Sequence, residues 1–163
     1  MIIFFDTETN GLWRRDLNPD HDDQPHMVSL AFQVCDDKEK VIGQMSCRIQ
    51  PKYKGFTIPE EVEKIHGIST DLANQTGVRA EYVLSVFQSY LERADTLVAH
   101  NTAFDLQIIK REFNKYAMKL FIPKNIHCTM MTAKNQMKLE GKYDDYKFLK
   151  LQECFDHFFH RGV

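Results

Sequence analysis

Residues Phe4 to Leu12 read F-F-D-T-E-T-N-G-L. An apolar run from Met1 to Phe5 has the length and content of a buried strand, and it leads directly into two acids spaced two residues apart. Side chains alternate faces along a strand, so Asp6 and Glu8 point the same way from its carboxyl end. Like charges held together on one edge repel each other unless something positive sits between them. Carboxylate oxygens in that arrangement suit Mg²⁺ or Mn²⁺. A solvated loop acid followed by a polar turn would also produce D-x-E, so the motif needs a partner elsewhere in the chain.

The rest of the sequence bounds what such a site is built on. With 163 residues, 43% of them hydrophobic, twelve Phe and only seven Gly, the chain is expected to form one domain with a packed core. No apolar run approaches the roughly 18–20 residues that span a bilayer. The opening M-I-I-F-F-D lacks the basic region and cleavage site of a signal peptide. Cys35, Cys47, Cys128 and Cys154 form no C-x-x-C pair, which argues against a disulfide framework or a zinc ribbon. A cytoplasmic protein without membrane contact is the expectation.

Net charge is −2, but the charges are unevenly spread. Residues 1–109 hold 10 Lys and Arg against 17 Asp and Glu, whereas residues 110–150 hold 10 against 4. Lys110, Arg111, Lys115, Lys119 and Lys124 recur every few residues, as expected if a polyanion lies across that half and presents one end to the acidic half. Solubilising charges on helix surfaces would give the same count.

Strand-like alternation at Val28, Leu30, Phe32 and Val34, a polar turn at Asp36 to Glu39, and Val41 to Ile49 predict an antiparallel meander with the first strand. A long polar loop, Asn10 to Pro25, precedes it. Pro59 starts a short helix, Glu60 to His66, ended by Gly67, with Ser69 as the cap of the next turn. Helical spacing predicts a helix over about Arg79 to Arg93, then a strand at Thr96 to Ala99 and a helix from Ala103 to Tyr116. A last strand over Ile126 to Thr129 and helices over Met130 to Leu139 and Phe148 to Phe159 follow, the latter two separated by the loop Gly141 to Lys147. Three meandering strands followed by alternating helices and strands describe a mixed α/β layer fold.

The chemistry returns at L-V-A-H-N-T-A-F-D, Leu97 to Asp105. Here a strand ends, Thr102 is placed to cap, and Asp105 falls in the first turn of a helix, where the dipole favours an anion. First-turn acids also serve stability alone. If this strand lies beside the first, Asp105 joins Asp6 and Glu8, and three carboxylates converge on one spot.

Together these motifs resemble the DEDD 3′–5′ exonucleases of the ribonuclease H-like superfamily, in particular the group around the proofreading epsilon subunit of bacterial DNA polymerase III. F-D-T-E-T-N-G-L is similar to that family's first motif and A-H-N-T-A-F-D to its second. The intervening I-P-E-E-V-E-K-I-H-G-I-S, Ile58 to Ser69, resembles the family's H-G-I-[ST] segment. The resemblance implies a ribonuclease H-like mixed sheet, an antiparallel three-strand meander plus parallel strands, flanked by helices. It implies that Asp6, Glu8 and Asp105 bind two Mg²⁺ or Mn²⁺ ions and release nucleoside monophosphates from a single-stranded DNA 3′ end, with RNA also within the family's range. Thr7 and Thr9 would meet the terminal nucleotide through backbone or hydroxyl groups. Leu12, His66, Asn101 and Phe104 would line the pocket around the last bases and sugars. A helix C-terminal cap would equally explain His66, and core packing Phe104.

One part of the pattern is not met. Tyr146 to His160 resembles the helix that precedes the family's third motif, H-x-x-x-x-D, and no such motif follows in the 163 residues. The expectation is therefore a single exonuclease-type domain, 1–163, without its third-motif helix, and with exposed apolar residues at Phe155, Phe158 and Phe159. The alternative function is a catalytically impaired module on the same fold that binds nucleic acid or a polymerase partner, or that self-associates. A metal site built on H-D-D-Q-P-H, His21 to His26, is a third reading.

Overall fold

The structure, a computed structural model, describes residues 1–51, 55–141 and 145–159. The middle of the Gly141–Lys147 loop and His160 lie outside them. Five strands form one sheet: β1 (Ile2–Thr9), β2 (Met27–Cys35), β3 (Val41–Arg48), β4 (Thr96–Ala99) and β5 (Asn125–Cys128), in the order β3-β2-β1-β4-β5. The first three are the antiparallel meander the sequence predicts, and β4 and β5 add parallel to β1. Among the described residues the helices are α1 (Glu60–His66), α2 (Thr70–Thr76), α3 (Ala80–Leu91), α4 (Thr102–Lys115), α5 (Thr129–Met137) and α6 (Leu151–Phe159). This is the ribonuclease H-like mixed sheet flanked by helices.

Alternation along β1 divides the sheet into two faces. Ile3 and Phe5 turn inward with Leu30, Phe32 and Val34 of β2, and pack against Val83, Leu84 and Phe87 of α3 and Ile108, Ile109 and Phe113 of α4. Phe87 sits at the centre, its ring 5.7 Å from Phe5 and 5.2 Å from Phe32. The opposite face of β1 carries Phe4, Asp6 and Glu8, and is open enough to leave Phe4 44% exposed. The core therefore fixes one face of the strand, and the acids follow on the other.

Some local expectations hold and others shift. The first strand extends past the apolar run to Thr9, because β2 continues to pair with it: Asp6 lies opposite Ala31 and Glu8 opposite Ser29. Ser69 caps a helix of its own, α2, accepting the Leu72 N–H at 3.0 Å. Gly67 ends α1 at φ 75°, a conformation that costs glycine least. Thr102 is not the cap of α4. Asn101 holds that position at φ 67° without a side-chain bond, and the Thr102 hydroxyl instead donates to the carbonyls of Ala99 and His127, both at 3.0 Å.

The basic segment is not one continuous face. Arg111 is 5% exposed and turned into the interior, and Lys134 is buried against Asp145 at 2.7 Å. α6 covers the β5 end of the molecule through Cys154 but leaves Phe155, Phe158 and Phe159 partly exposed around an apolar groove shared with α5. Among the described residues, no helix is long and apolar enough to cross a membrane.

Candidate active site

β4 is short, and pairs only with Ile2 to Phe4 of β1. β1 runs on to Thr9, held by β2 alone, so its other edge lacks a neighbouring strand from Asp6 onward. The chain leaving β4 passes through His100 and Asn101 into α4, and the first turn of that helix fills the gap with Asp105. Thr7 donates both its backbone N–H (3.0 Å) and its hydroxyl (2.8 Å) to Asp105 Oδ1. Asp105 thus stands where the carbonyl of a further strand would be, 3% exposed.

Asp6 and Glu8 share the open face, as their spacing predicts, with Thr7 buried between them and Thr9 buried just beyond. Each of the three acids is harder to ionise than usual. Withdrawal from water raises Asp6, opposed by the charge of nearby His100. The same withdrawal raises Glu8, and the negative charge on Asp6 adds to it. Burial lifts Asp105 to about 6, with the Thr7 hydroxyl working against it and the charge on Asp6 with it. Burial is the main cause in each case, and Asp6 adds repulsion toward both of the others, which a cation between them would relieve.

The other expected residues are distributed around this centre. Asn101 is exposed, at the left-handed turn between β4 and α4, and Leu12 is 85% exposed just past the end of β1. His66 is half-buried. Its Nδ1 accepts the Ile68 N–H at 3.1 Å, and its Nε2 is buried without a hydrogen-bond partner. Phe104 packs against the main core, and the Thr9 hydroxyl is used locally, donating to Gly11 O at 2.7 Å.

Sequence reading gave Thr7 a different role and missed His100. Thr7 holds Asp105, a role signalled only by its lying between the two acids on the opposite face. His100 sits half-buried beside Asp6, with Nε2 2.8 Å from Leu149 O and Nδ1 3.0 Å from the Thr129 hydroxyl, joining the loop before α6 to the end of β4.

A divalent cation fits the donor set in kind, since all three side chains are carboxylates and all three are raised. Among the described residues, no three His, Cys, Asp or Glu side chains yet form a cluster that could hold an ion. The H-D-D-Q-P-H reading meets a separate obstacle: His26 Nδ1 is occupied by two cationic groups, Arg111 at 3.0 Å and Lys115 at 3.3 Å.

The family model described as Exonuclease matches residues 3–162. Among solved structures, the chain is similar to Escherichia coli exonuclease I in complex with a dT13 oligonucleotide, at TM-score 0.70 and 15% identity, covering 91% of this chain and 33% of that one. A product-bound exonuclease I matches at TM-score 0.71 and 18% identity, over 95% and 37% of the two chains. A moderately thermophilic exonuclease I from Methylocaldum szegediense gives TM-score 0.64 and 15% identity, over 86% and 30%. The chain therefore spans about a third of the length of the solved chains it matches. Comparison with curated proteins gives no match.

Proposed function

The chain belongs to the exonuclease family, and on that premise we propose that it hydrolyses single-stranded DNA stepwise from the 3′ end, releasing nucleoside monophosphates. The observation that supports this reading is that Asp6, at the end where β1 outruns β4, is electrostatically coupled to both Glu8 and Asp105. Asp6, Glu8 and Asp105 would hold two Mg²⁺ or Mn²⁺ ions, which when bound supply an activated water and neutralise the developing charge on the phosphate.

The protein's own residues set the geometry. Thr7 fixes the rotamer of Asp105 with two hydrogen bonds, so this ligand needs little reorganisation when a cation arrives. Leu12 offers an exposed apolar side chain for the face of a terminal base. The unpartnered Nε2–H of His66 is a donor for a sugar or phosphate oxygen. Asn101 and Phe104 border the same end of the sheet, and Thr9 shapes the turn that carries Leu12. Oligonucleotide-bound exonuclease I shares the fold, which supports a single strand as substrate. Affinity with the epsilon subunit, a polymerase partner and a cytoplasmic setting belong to this proposal.

The second reading is a module that binds strands without cutting them. It is favoured by the absence, among the described residues, of a formed metal cluster around the trio. A 5′-labelled single strand, DNA or RNA, incubated with Mg²⁺ or Mn²⁺ separates the two. Stepwise shortening from the 3′ end that stops in EDTA and in Asp6→Ala supports the enzyme. Binding with no shortening supports the module, and cleavage that survives EDTA overturns the metal-dependent mechanism.

A further inference from the structure

α4 carries Asp105 in its first turn and, six residues on, a buried cation. Arg111 is 5% exposed, its Nη1 donating to His26 Nδ1 at 3.0 Å and its Nη2 to His21 O at 3.1 Å, while its Nε–H has no partner. Glu112 lies 3.4 Å from the same guanidinium, and Lys115 Nζ 3.3 Å from the same imidazole nitrogen. His26 is in turn locked to Asn10: Asn10 N–H donates to His26 O at 3.1 Å, and His26 N–H donates to Asn10 Oδ1 at 2.7 Å. Asn10 follows Glu8 by two residues.

The path closes on itself. From Asp105 it runs through Thr7 along β1 to Asn10, across to His26 and Arg111, and back up α4. A helix joined to a strand at one point pivots about it; joined at two, it does not. Leu12 begins the loop that this second tie anchors. The loop is braced from inside by Gln24, 1% exposed, whose side chain accepts the Arg14 N–H at 3.0 Å and donates to Arg14 O at 2.7 Å.

We propose that Arg111 is a positioning residue: through His26 and Asn10 it fixes the 11–25 loop, and hence Leu12, relative to the acid site, and so governs how tightly a strand's 3′ end is held. Apolar residues replace buried charges without loss of stability in many cores. A guanidinium kept here with one donor unsatisfied therefore points to geometry rather than to stability. Lys at 111 would keep the charge but not the simultaneous reach to the His26 ring and the His21 carbonyl.

The inference rests on the nuclease reading for its substrate and on the loop for its structure, and the test separates them. Arg111→Met, Arg111→Lys, His26→Ala and His26→Gln are prepared in the full chain. Trypsin cleavage after the exposed Arg14 and Arg15 reports the loop. KM, kcat and strand binding by fluorescence anisotropy in Ca²⁺ report the site. We expect Arg111→Met and His26→Ala to be cut at least tenfold faster at the loop, Arg111→Met while retaining the wild-type melting transition and His26→Ala with a lowered one, because it strands the buried guanidinium. KM and the strand Kd should rise about tenfold with kcat within threefold, the pattern of lost uniform binding. His26→Gln, which keeps an acceptor for Arg111, should recover most of both effects, and Arg111→Lys part of them. Unchanged loop proteolysis in Arg111→Met and His26→Ala overturns the tie. Faster proteolysis with unchanged KM and Kd overturns its role toward substrate. A wild-type chain that binds strands without cutting them overturns the nuclease reading alone, since the tie and the Kd shift are still read directly.

Discussion

One oxygen of Asp105 takes two hydrogen bonds from a single residue, the N–H and the hydroxyl of Thr7. That clamp joins the helix bearing one acid to the strand bearing the other two.

Removing half of the clamp should be measurable. Thr7→Val keeps the side-chain shape and the N–H but deletes the hydroxyl, and is expected to lower stability by about 1–2 kcal/mol by chemical denaturation. Mn²⁺ affinity should fall with it, whereas Thr7→Ser should retain both. Equal Mn²⁺ affinity in Thr7→Val and wild type would show that the backbone bond suffices.

Asp105 should trade stability for activity. Its folded pKa of about 6 lies above the ordinary 3.8, so the native state binds more protons than the unfolded one between those values. Stability on this account is greatest below pH 3.8 and declines as pH rises through 6. Without divalent cations, Asp105→Asn is expected to be more stable than wild type at pH 7, by up to about 3 kcal/mol, with the gap closing near pH 4. Nuclease activity should drop at least about a hundredfold, judging by the scale of losing transition-state charge stabilisation. A variant no more stable than wild type at pH 7 would mean that Thr7 fully offsets the cost of burial.

His26 predicts the opposite slope. Burial, then the charges of Lys115 and Arg111, lower it from 6.5 to about 4. The unfolded chain takes up a proton at His26 below pH 6.5 while the folded chain resists, so stability present above 6.5 is lost as pH falls toward 4. Melting temperatures across that window should fall more steeply for wild type than for His26→Gln. Parallel profiles would show that another group dominates.

Cation binding should be proton-linked. Isothermal titration of Mn²⁺ is expected to show tighter binding at pH 7 than at pH 5, because the raised carboxylates must be ionised to coordinate. Asp6→Ala should lose the binding, since Asp6 is the acid coupled to both others. Undiminished binding in Asp6→Ala would place the ions elsewhere.

Much of this was written in local pattern. Period-two alternation placed Asp6 and Glu8 on one face of β1 because a strand's geometry leaves no other choice, and the first-turn position of Asp105 followed from a strand end meeting a helix start. Pattern also gave the meander and, through the shared motifs, the exonuclease family. What it could not give was contact between residues distant in the chain. Thr7 and Asp105 are 98 positions apart, and their clamp exists only because β4 ends at Ala99 while β1 continues to Thr9. Arg111 counted as one more surface cation in a basic segment, since charge carries no direction along a sequence. Only the packing of α4 against the 10–26 loop turned it inward onto His26. Composition and period are fixed residue by residue, whereas burial and pairing are decided by which elements come to lie side by side.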